Sequence, residues 1–396
     1  MALSISLNPD QEKAQEQILA WLERPTGTHL TIGGYAGTGK TTLIGFLRKR
    51  LSDTYNKEEK KSVAFCSYTG KAASVLSQKL KDADALFPAD TCSTIHRLIY
   101  NPVTDLAGQV IGWESLPSLP HALIIIDEGS MVNAEIWADL LRYHLPILVF
   151  GDHGQLPPVE GSFNLMQNPH IKLEKIVRQA EDNAIIRLSQ SIRDGGGIPF
   201  GNFAPNIRKL SKHSSEAEDL FASLVTEKDD DYLCICCYNK TRVALNYRIR
   251  GLKDFTADMP EKGERIICLK NNHAKLIFNG MLGIIKQIEE EGEHWYQVKV
   301  NMEDANGPFK GTILKYQFGQ QKTLRGEAAA RLPIPEKEFG DLFDYGYCLT
   351  AHKAQGSEAR RVILFEERMF SYDDEMWQRW LYTAVTRAKE ELIVFA

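Results

Sequence analysis

No run of eighteen apolar residues occurs in the chain, so no membrane-spanning helix is expected. The first residues, MALSISLNPDQEKAQEQ, have neither a basic stretch nor a long apolar one, so no secretory signal is expected. Both absences favour the cytoplasm. Basic residues are not in excess: 47 Lys and Arg stand against 52 Asp and Glu, for a net charge of −5 and a pI of about 6.1. That balance does not itself point to nucleic acid, although a basic groove can lie inside an acidic shell. The seven cysteines are odd in number and have no framework spacing. Cys234, Cys236 and Cys237 crowd into YLCICCY (232–238) with no second cluster at ligand spacing, so the segment reads as a buried strand rather than a metal site. Internal repeats and low-complexity tracts are also lacking, and NKEEKK (56–61) reads as a solvated loop.

What remains is a globular composition, 43% hydrophobic and 25% charged over 396 residues. That length suits roughly two to four domains. The first 180 residues alternate apolar runs with helical patterns: HLTIGG (29–34), SVAFCS (62–67), ALIIIDE (122–128) and ILVFGD (147–152) read as strands. This is the rhythm of a parallel sheet covered by helices on both faces. An irregular piece at 94–120 interrupts it, and NPVTDLAGQVIGW there suits a small β-hairpin. RDGGGIPFGNFAPN (193–206) marks a loop or boundary. A second α/β section starts near Tyr232. It is interrupted by short alternating β runs at roughly 260–335 and resumes with YGYCLT, RRVILFE, a helix around 375–388 and ELIVFA.

The sharpest motif is GGYAGTGKTT (33–42). Gly34, Gly39, Lys40 and Thr41 satisfy the spacing G-x4-G-K-[ST] between a strand and a helix. Backbone amides from Gly34 to Gly39, through Ala36, Gly37 and Thr38, can wrap phosphates, and Thr42 follows in the helix. Lys40 would reach the β- and γ-phosphates of ATP, and Thr41 would ligate Mg2+. LIIIDEGSM (123–131) supplies Asp127 to hold the metal and Glu128 to polarise the attacking water. Asp127 as a helix cap is the weaker reading, because Asn133 serves the helix at 133–142 better. Gln155, in VFGDHGQLPPV (149–159), would contact the γ-phosphate or its water, or else is a polar loop residue. Gln11 has two readings: an amide for an adenine edge, or the third residue of a capping box begun by Asn8 and Pro9.

The ordered set LNPDQ, GGYAGTGKTT, SYTGKAA, TIHRL, DEGSM, GDHGQLPPV, LTAHKAQGSE and YTAVTRAKEELIVF resembles the superfamily 1B helicases of the RecD/Dda/Pif1-like group, from Asn8 to Phe395. The resemblance implies two RecA-like P-loop NTPase domains, each α/β with a parallel sheet. The first would carry a small β-hairpin insertion and the second an SH3-like β insertion. Domain 1A would take 1–93 and 114–192, the insertion 94–113 would be a wedge, 2A would take 193–259 and 336–396, and 2B would take 260–335. LTAHKAQGSE (349–358) looks like motif V and YTAVTRAKE (382–390) like motif VI, on a second domain that completes the first site across a cleft. Arg387 would then be an arginine finger and Arg178, in KIVRQ, a second cation. Gln355, Gly356 and Glu358 would link the nucleotide to DNA grip.

By the same resemblance Thr350, His352 and Lys353 would face nucleic acid, as would Tyr68, Thr69 and Lys71 of SYTGKAA. Tyr68 stands where the family usually has Pro and offers an aromatic face for a base. His96 either faces the track or is a hydrogen-bonded core histidine. Trp113 or Tyr100 would lie at the wedge, and 270–280 near DNA. The basic residues of 238–253 form either a strand-facing patch or a solvated face. Gly129, where Ala or Val is commoner, should matter little to the chemistry. The implied activity is ATP- and Mg2+-dependent DNA unwinding by a monomer that translocates on single-stranded DNA, 5′ to 3′, in a bacterial or phage-infected cell. Its partners would be single-stranded DNA, single/double-strand junctions, and an ssDNA-binding or replication/recombination protein. Two alternatives stay open: an RNA or RNP remodeller, and a DNA-stimulated ATPase that loads partners without unwinding alone. A nuclease is not expected, since no carboxylate cluster stands outside the motor motifs.

Overall fold

The computed structural model describes residues 6–55, 62–104, 110–158, 163–177, 182–227, 231–272, 275, 277–303 and 307–396. The chain forms two compact units, Met1–Arg187 and Leu188–Ala396.

The first unit is built on a six-stranded sheet. Its strands are β1 (His29–Gly34), β2 (Ser62–Ser67), β3 (Thr91–Thr94) and, after the hairpin strands β4 (Tyr100–Thr104) and β5 (Val110–Ser115), β6 (His121–Asp127), β7 (Ile147–Gly151) and β8 (Ile171–Leu173). The order is β3-β2-β6-β7-β1-β8, with every pair parallel. Continuous apolar runs produce this arrangement because both faces are covered. Side chains alternate across the pleat. Val63, Phe65, Leu123 and Ile125 enter one core, beneath the helices Pro9–Glu23, Lys40–Tyr55 and Gly70–Asp82. Ala64, Cys66, Ile124 and Ile126 enter the other, beneath Ala134–Leu141. Asn133 caps that last helix, accepting from the Ile136 amide at 3.0 Å.

The interruption begins with β3, which joins the main sheet beside β2, and a short helix, Ile95–Ile99. Then β4 and β5 pair antiparallel from Tyr100↔Ser115 outward. The turn residues 105–109 lie outside the described residues. Trp113 sits in β5 opposite Pro102.

The second unit holds a six-stranded sheet and a five-stranded antiparallel one. β9 (Gly201–Ala204), β10 (Ile207–Leu210) and β11 (Tyr232–Cys236) precede the antiparallel strands β12 (Arg265–Cys268), β13 (Leu282–Glu291), β14 (Trp295–Met302), β15 (Phe309–Leu314) and β16 (Phe343–Tyr345). β17 (Cys348–Thr350), β18 (Ala359–Phe365) and β19 (Ala388–Phe395) return to the first sheet. That sheet runs β17-β11-β18-β19-β10-β9, parallel except for β9. β11 is wholly buried; the bond with Cys348 and then burial push the Cys236 thiol up, and burial pushes Cys237 up, both out of the reactive range.

One boundary differs from the sequence reading. The antiparallel sheet extends past residue 335, because β16 pairs with β12, Ile266 opposite Tyr345. The run YGYCLT is therefore two strands in two sheets, with Gly346 between them. A Cβ at Gly346 would meet the carbonyl carbon of Ile266 at 2.8 Å and Leu282 Cδ2 at 2.9 Å. The chain changes sheets where only glycine fits.

Candidate ATP site and nucleic-acid face

The loop after β1 closes by glycine conformation. Gly37 and Gly39 take φ of 79° and 73°, in the left-handed region open to glycine at little cost. Thr38 is fully buried, and its hydroxyl donates to the Tyr35 carbonyl at 2.8 Å. Lys40 curls back over the loop, its Nζ donating to the carbonyls of Gly34 (2.7 Å) and Tyr35 (3.2 Å). Thr41 and Thr42 follow in the helix Lys40–Tyr55, while Ala36 lies in the loop itself.

Gln11 serves two elements at once. Its Oε1 accepts from the Asn8 amide and Asn8 Oδ1 accepts from the Gln11 amide, both at 2.9 Å, completing the capping box. Its Nε2 donates to the carbonyls of Thr38 (3.0 Å) and Gly39 (3.2 Å). Gln11 thus ties the first helix to the P-loop. On the loop's other side the Val177 amide donates to the Gly37 carbonyl at 2.9 Å. That bond ties Val177 to the loop. Arg178 itself lies outside the described residues.

Because the strands are parallel, Gly34, Ser67, Asp127 and Gly151 end on one edge, the edge where ligands bind in such sheets. There Thr41 Oγ1 donates to Asp127 Oδ2 at 3.3 Å. Burial pushes the Asp127 carboxyl up, against the opposing pull of Lys40. A half-buried carboxylate beside a hydroxyl is an oxygen donor set that fits a hard divalent cation such as Mg2+. A group with a raised folded pKa stabilises the fold only while protonated, so stability falls as pH rises from the ordinary carboxylate range through the raised value. Asp127→Asn is therefore expected to raise the melting temperature of the metal-free protein at pH 8. Added Mg2+ should stabilise the parent protein and leave the variant unmoved, as thermal melts with and without the cation would show. Equal Mg2+ responses would remove Asp127 from the metal site.

Glu128 follows at φ 59°, ψ 41°, a left-handed conformation that costs a non-glycine residue about 1–3 kcal/mol. Gly129 allows it. A Cβ there would stand 2.3 Å from Val149 Cγ1 and 3.1 Å from the Phe150 carbonyl oxygen. The position is crowded because the segment lies close against β7. Gly129→Ala should destabilise the protein by about 1–3 kcal/mol and lower ATP turnover by displacing Glu128. Urea melts and steady-state ATPase assays would measure both, and a neutral alanine would show that the neighbours yield freely.

Gln155 is buried, and its Nε2 lies 3.4 Å from Asp152 Oδ2. Next to it, His153 packs its ring 4.2 Å from that of Tyr35, joining this loop to the P-loop.

On the same edge Thr69 caps the helix Gly70–Asp82, its hydroxyl accepting from the Ala72 amide at 3.2 Å. Lys71 lies in that helix's first turn, half-buried. Tyr68, His96 and Tyr100 form an aromatic row, with ring centroids 5.9 and 6.1 Å apart. His96 is buried inside it. Tyr100 donates to Asp139 and Tyr143 donates to the Ile99 carbonyl at 2.8 Å, which roots the hairpin on the helix Ala134–Leu141. Sequence reasoning missed Asp139. A carboxylate on an amphipathic helix carries no signal until its partner is known.

In the second unit, Thr350 ends β17 and precedes the short helix Ala351–Ala354. His352 and Lys353 are half-buried. Burial lowers the His352 imidazole, and burial aided by Arg242 brings the Lys353 amine down to about 8. Gln355 is buried, and Gly356 turns at φ 72°. Arg387 is 3% exposed. Its guanidinium donates to the carbonyls of Thr383 (3.0 Å) and Ser357 (3.4 Å) and to Thr386 Oγ1 (3.1 Å). Those bonds hold motif VI to the end of motif V. Glu358 is exposed, 4.0 Å from Lys389. The basic helix at 238–253 is neither a patch nor a solvated face throughout: Lys240 and Arg248 are exposed, but Arg242 and Arg250 point inward and are buried. No helix among the described residues is long and apolar enough to cross a membrane.

A family model described as an AAA domain matches residues 6–208, just over half of the chain, and a UvrD-like helicase C-terminal domain matches 345–395. The chain is 26% identical over 400 residues to the ATP-dependent RecD2 DNA helicase of Deinococcus radiodurans, covering 95% of this chain and 48% of that protein. It thus spans about half of that relative's length. It is 25% identical over 424 residues to the ATP-dependent DNA helicase Pif1 of Campylobacter jejuni, covering 94% and 88% of the two chains. Among solved structures, a Bacteroides Pif1 helicase in complex with ADP-AlF3 and ssDNA superposes with a TM-score of 0.54 at 20% identity, covering 99% of this chain and 93% of that one. The P-loop, the carboxylates on its edge and these matches agree: the chain belongs to the AAA-domain family and, within it, to the superfamily 1B helicases of the RecD/Pif1/Dda group.

Proposed function

We propose that this chain is an ATP-dependent DNA helicase that translocates 5′ to 3′ on single-stranded DNA and opens the duplex ahead of it. The observation that carries the reading is the Thr41–Asp127 pair beside Lys40, on the sheet edge that also bears Thr69 and the Tyr68–His96–Tyr100 row. A phosphate-binding loop and an aromatic row along one sheet edge support this reading. Lys40, with the amides from Gly34 to Gly39, binds ATP phosphates, and Gln11 holds the loop in shape for them. Thr41 and Asp127 hold Mg2+, which neutralises phosphate charge when bound. Glu128 takes the proton of the attacking water, and Gln155 orients that water. Arg387 and Arg178 supply positive charge to the transferring phosphoryl, with Gly356 and Glu358 near the nucleotide. Tyr68, Thr69, Lys71 and His96 hold the strand on the first unit, and Thr350, His352 and Lys353 on the second. The β4–β5 hairpin, with Trp113, is the wedge. The antiparallel sheet is an SH3-like insertion.

Duplexes with a 5′ or a 3′ single-stranded tail, with ATP turnover followed in the same tubes, test this reading. Opening of the 5′-tailed duplex alone is expected. Opening of the 3′-tailed duplex alone would reverse the polarity. DNA-stimulated turnover with neither duplex opened would favour a loader or translocase that needs a partner.

A further inference from the structure

The helix Asn239–Leu252 carries a buried polar stripe that the ATPase chemistry does not use. Arg242, Asn246 and Arg250 recur every fourth residue and so share one face. All three are buried. Arg250 grips Glu264 with two bonds, Nε to Oε1 at 2.6 Å and Nη2 to Oε2 at 3.0 Å, just before the chain enters β12. The same guanidinium lies 4.2 Å from the Tyr345 ring. Arg242 holds the other end, its Nη1 donating to Asp344 Oδ2 in β16 at 2.7 Å and its Nη2 to the Gln320 carbonyl at 2.6 Å. Asn246 sits between them. Its Oδ1 accepts from the amides of Tyr347 (2.9 Å) and Cys348 (2.8 Å), and its Nδ2 donates to the Cys348 carbonyl at 3.2 Å. Tyr347 closes the set by donating to Glu264 Oε1 at 3.2 Å.

One helix face therefore grips the chain where it leaves the parallel sheet and where it returns. Burying two ion pairs is a poor route to stability, since apolar side chains of similar size pack as well without losing hydration. What a guanidinium fork and a doubly bonded amide add is direction. An apolar seam tolerates sliding, whereas bidentate bonds fix one orientation. Motif V begins on the strand that Asn246 holds, and Lys353, three residues beyond β17, feels the Arg242–Asp344 pair.

We propose that Arg242, Asn246 and Arg250 are positioning residues that lock the five-stranded insertion to the parallel sheet at motif V, so that the two move as one body when DNA or nucleotide binds. The consequence for unwinding rests on the helicase reading, but the rigidity does not.

Nitroxide labels at Gln297→Cys in β14 and Asp219→Cys in the helix Ser215–Thr226 test it, with Cys92→Ser in the background because the other six thiols are buried. Pulsed electron resonance should give one narrow distance. It should shift by less than about 2 Å on adding an oligothymidine, a non-hydrolysable ATP analogue, or both. A larger shift, or a second distance, overturns the proposal whether or not the protein unwinds DNA. Arg242→Met and Arg250→Met should each broaden the distribution and lower unwinding at least tenfold more than DNA-stimulated ATP turnover. A folded variant with an unbroadened distance overturns it too. If a variant does not fold, the unmodified stripe still decides.

Discussion

Replacing Arg387 with alanine is expected to lower DNA-stimulated ATP turnover by about 10³–10⁵-fold, the contribution of an arginine that stabilises charge on a transferring phosphoryl group. The loss should fall on kcat, with nucleotide affinity changed far less, because the charge it meets grows in the transition state. Its present bonds make the test sharper. The guanidinium donates to Thr383, Ser357 and Thr386 within its own unit, so alanine also leaves acceptors unpaired. Arg387→Lys separates the two effects. Lysine keeps a charge but loses the planar fork, so turnover should stay low while the melting temperature largely recovers. Turnover within tenfold of the parent in a folded alanine variant would leave Arg387 as a tie between motifs V and VI and nothing more.

Glu128→Gln should lower turnover by about 10²–10⁴-fold, the usual size of general-base catalysis. Glutamine keeps the shape and the hydrogen-bonding reach but cannot accept the proton. The crowding at Gly129 comes from Val149 and Phe150, not from the Glu128 side chain, so the fold should be unaffected. Binding of a fluorescent ATP analogue and of an oligothymidine should persist, giving a protein that loads nucleotide and holds DNA without cycling. Loss of binding along with turnover would mean that Glu128 shapes the site and is not its base.

Gly129 and Gln11 show how far one-dimensional reading reaches. The P-loop was legible because its chemistry is local: positive-φ glycines, a lysine and a hydroxyl at fixed spacing between a strand and a helix. The capping box at Asn8 and Gln11 was legible for the same reason. That the other end of the Gln11 amide holds the P-loop was not, since Thr38 and Gly39 lie 27 and 28 residues away. Gly129 looked interchangeable because no sequence pattern reports how close Val149 stands.

The basic run at 238–253 marks the limit more clearly. Arginines at helical spacing read as a charged surface, because an isolated charge belongs in water. Asp344 lies 102 residues from Arg242, and Glu264 lies beyond the helix that carries Arg250. Only when the chain leaves one sheet and returns to it do those carboxylates come within reach, and a paired charge can then be buried. By itself the sequence determined the elements, their alternation and the phosphate-binding loop, all of which depend on neighbours within a few turns or on periodicity. The tertiary structure decided which strands share a sheet, where Gly346 passes the chain between sheets, and which charges are buried. Each of those depends on a distance through space that residue order does not encode locally.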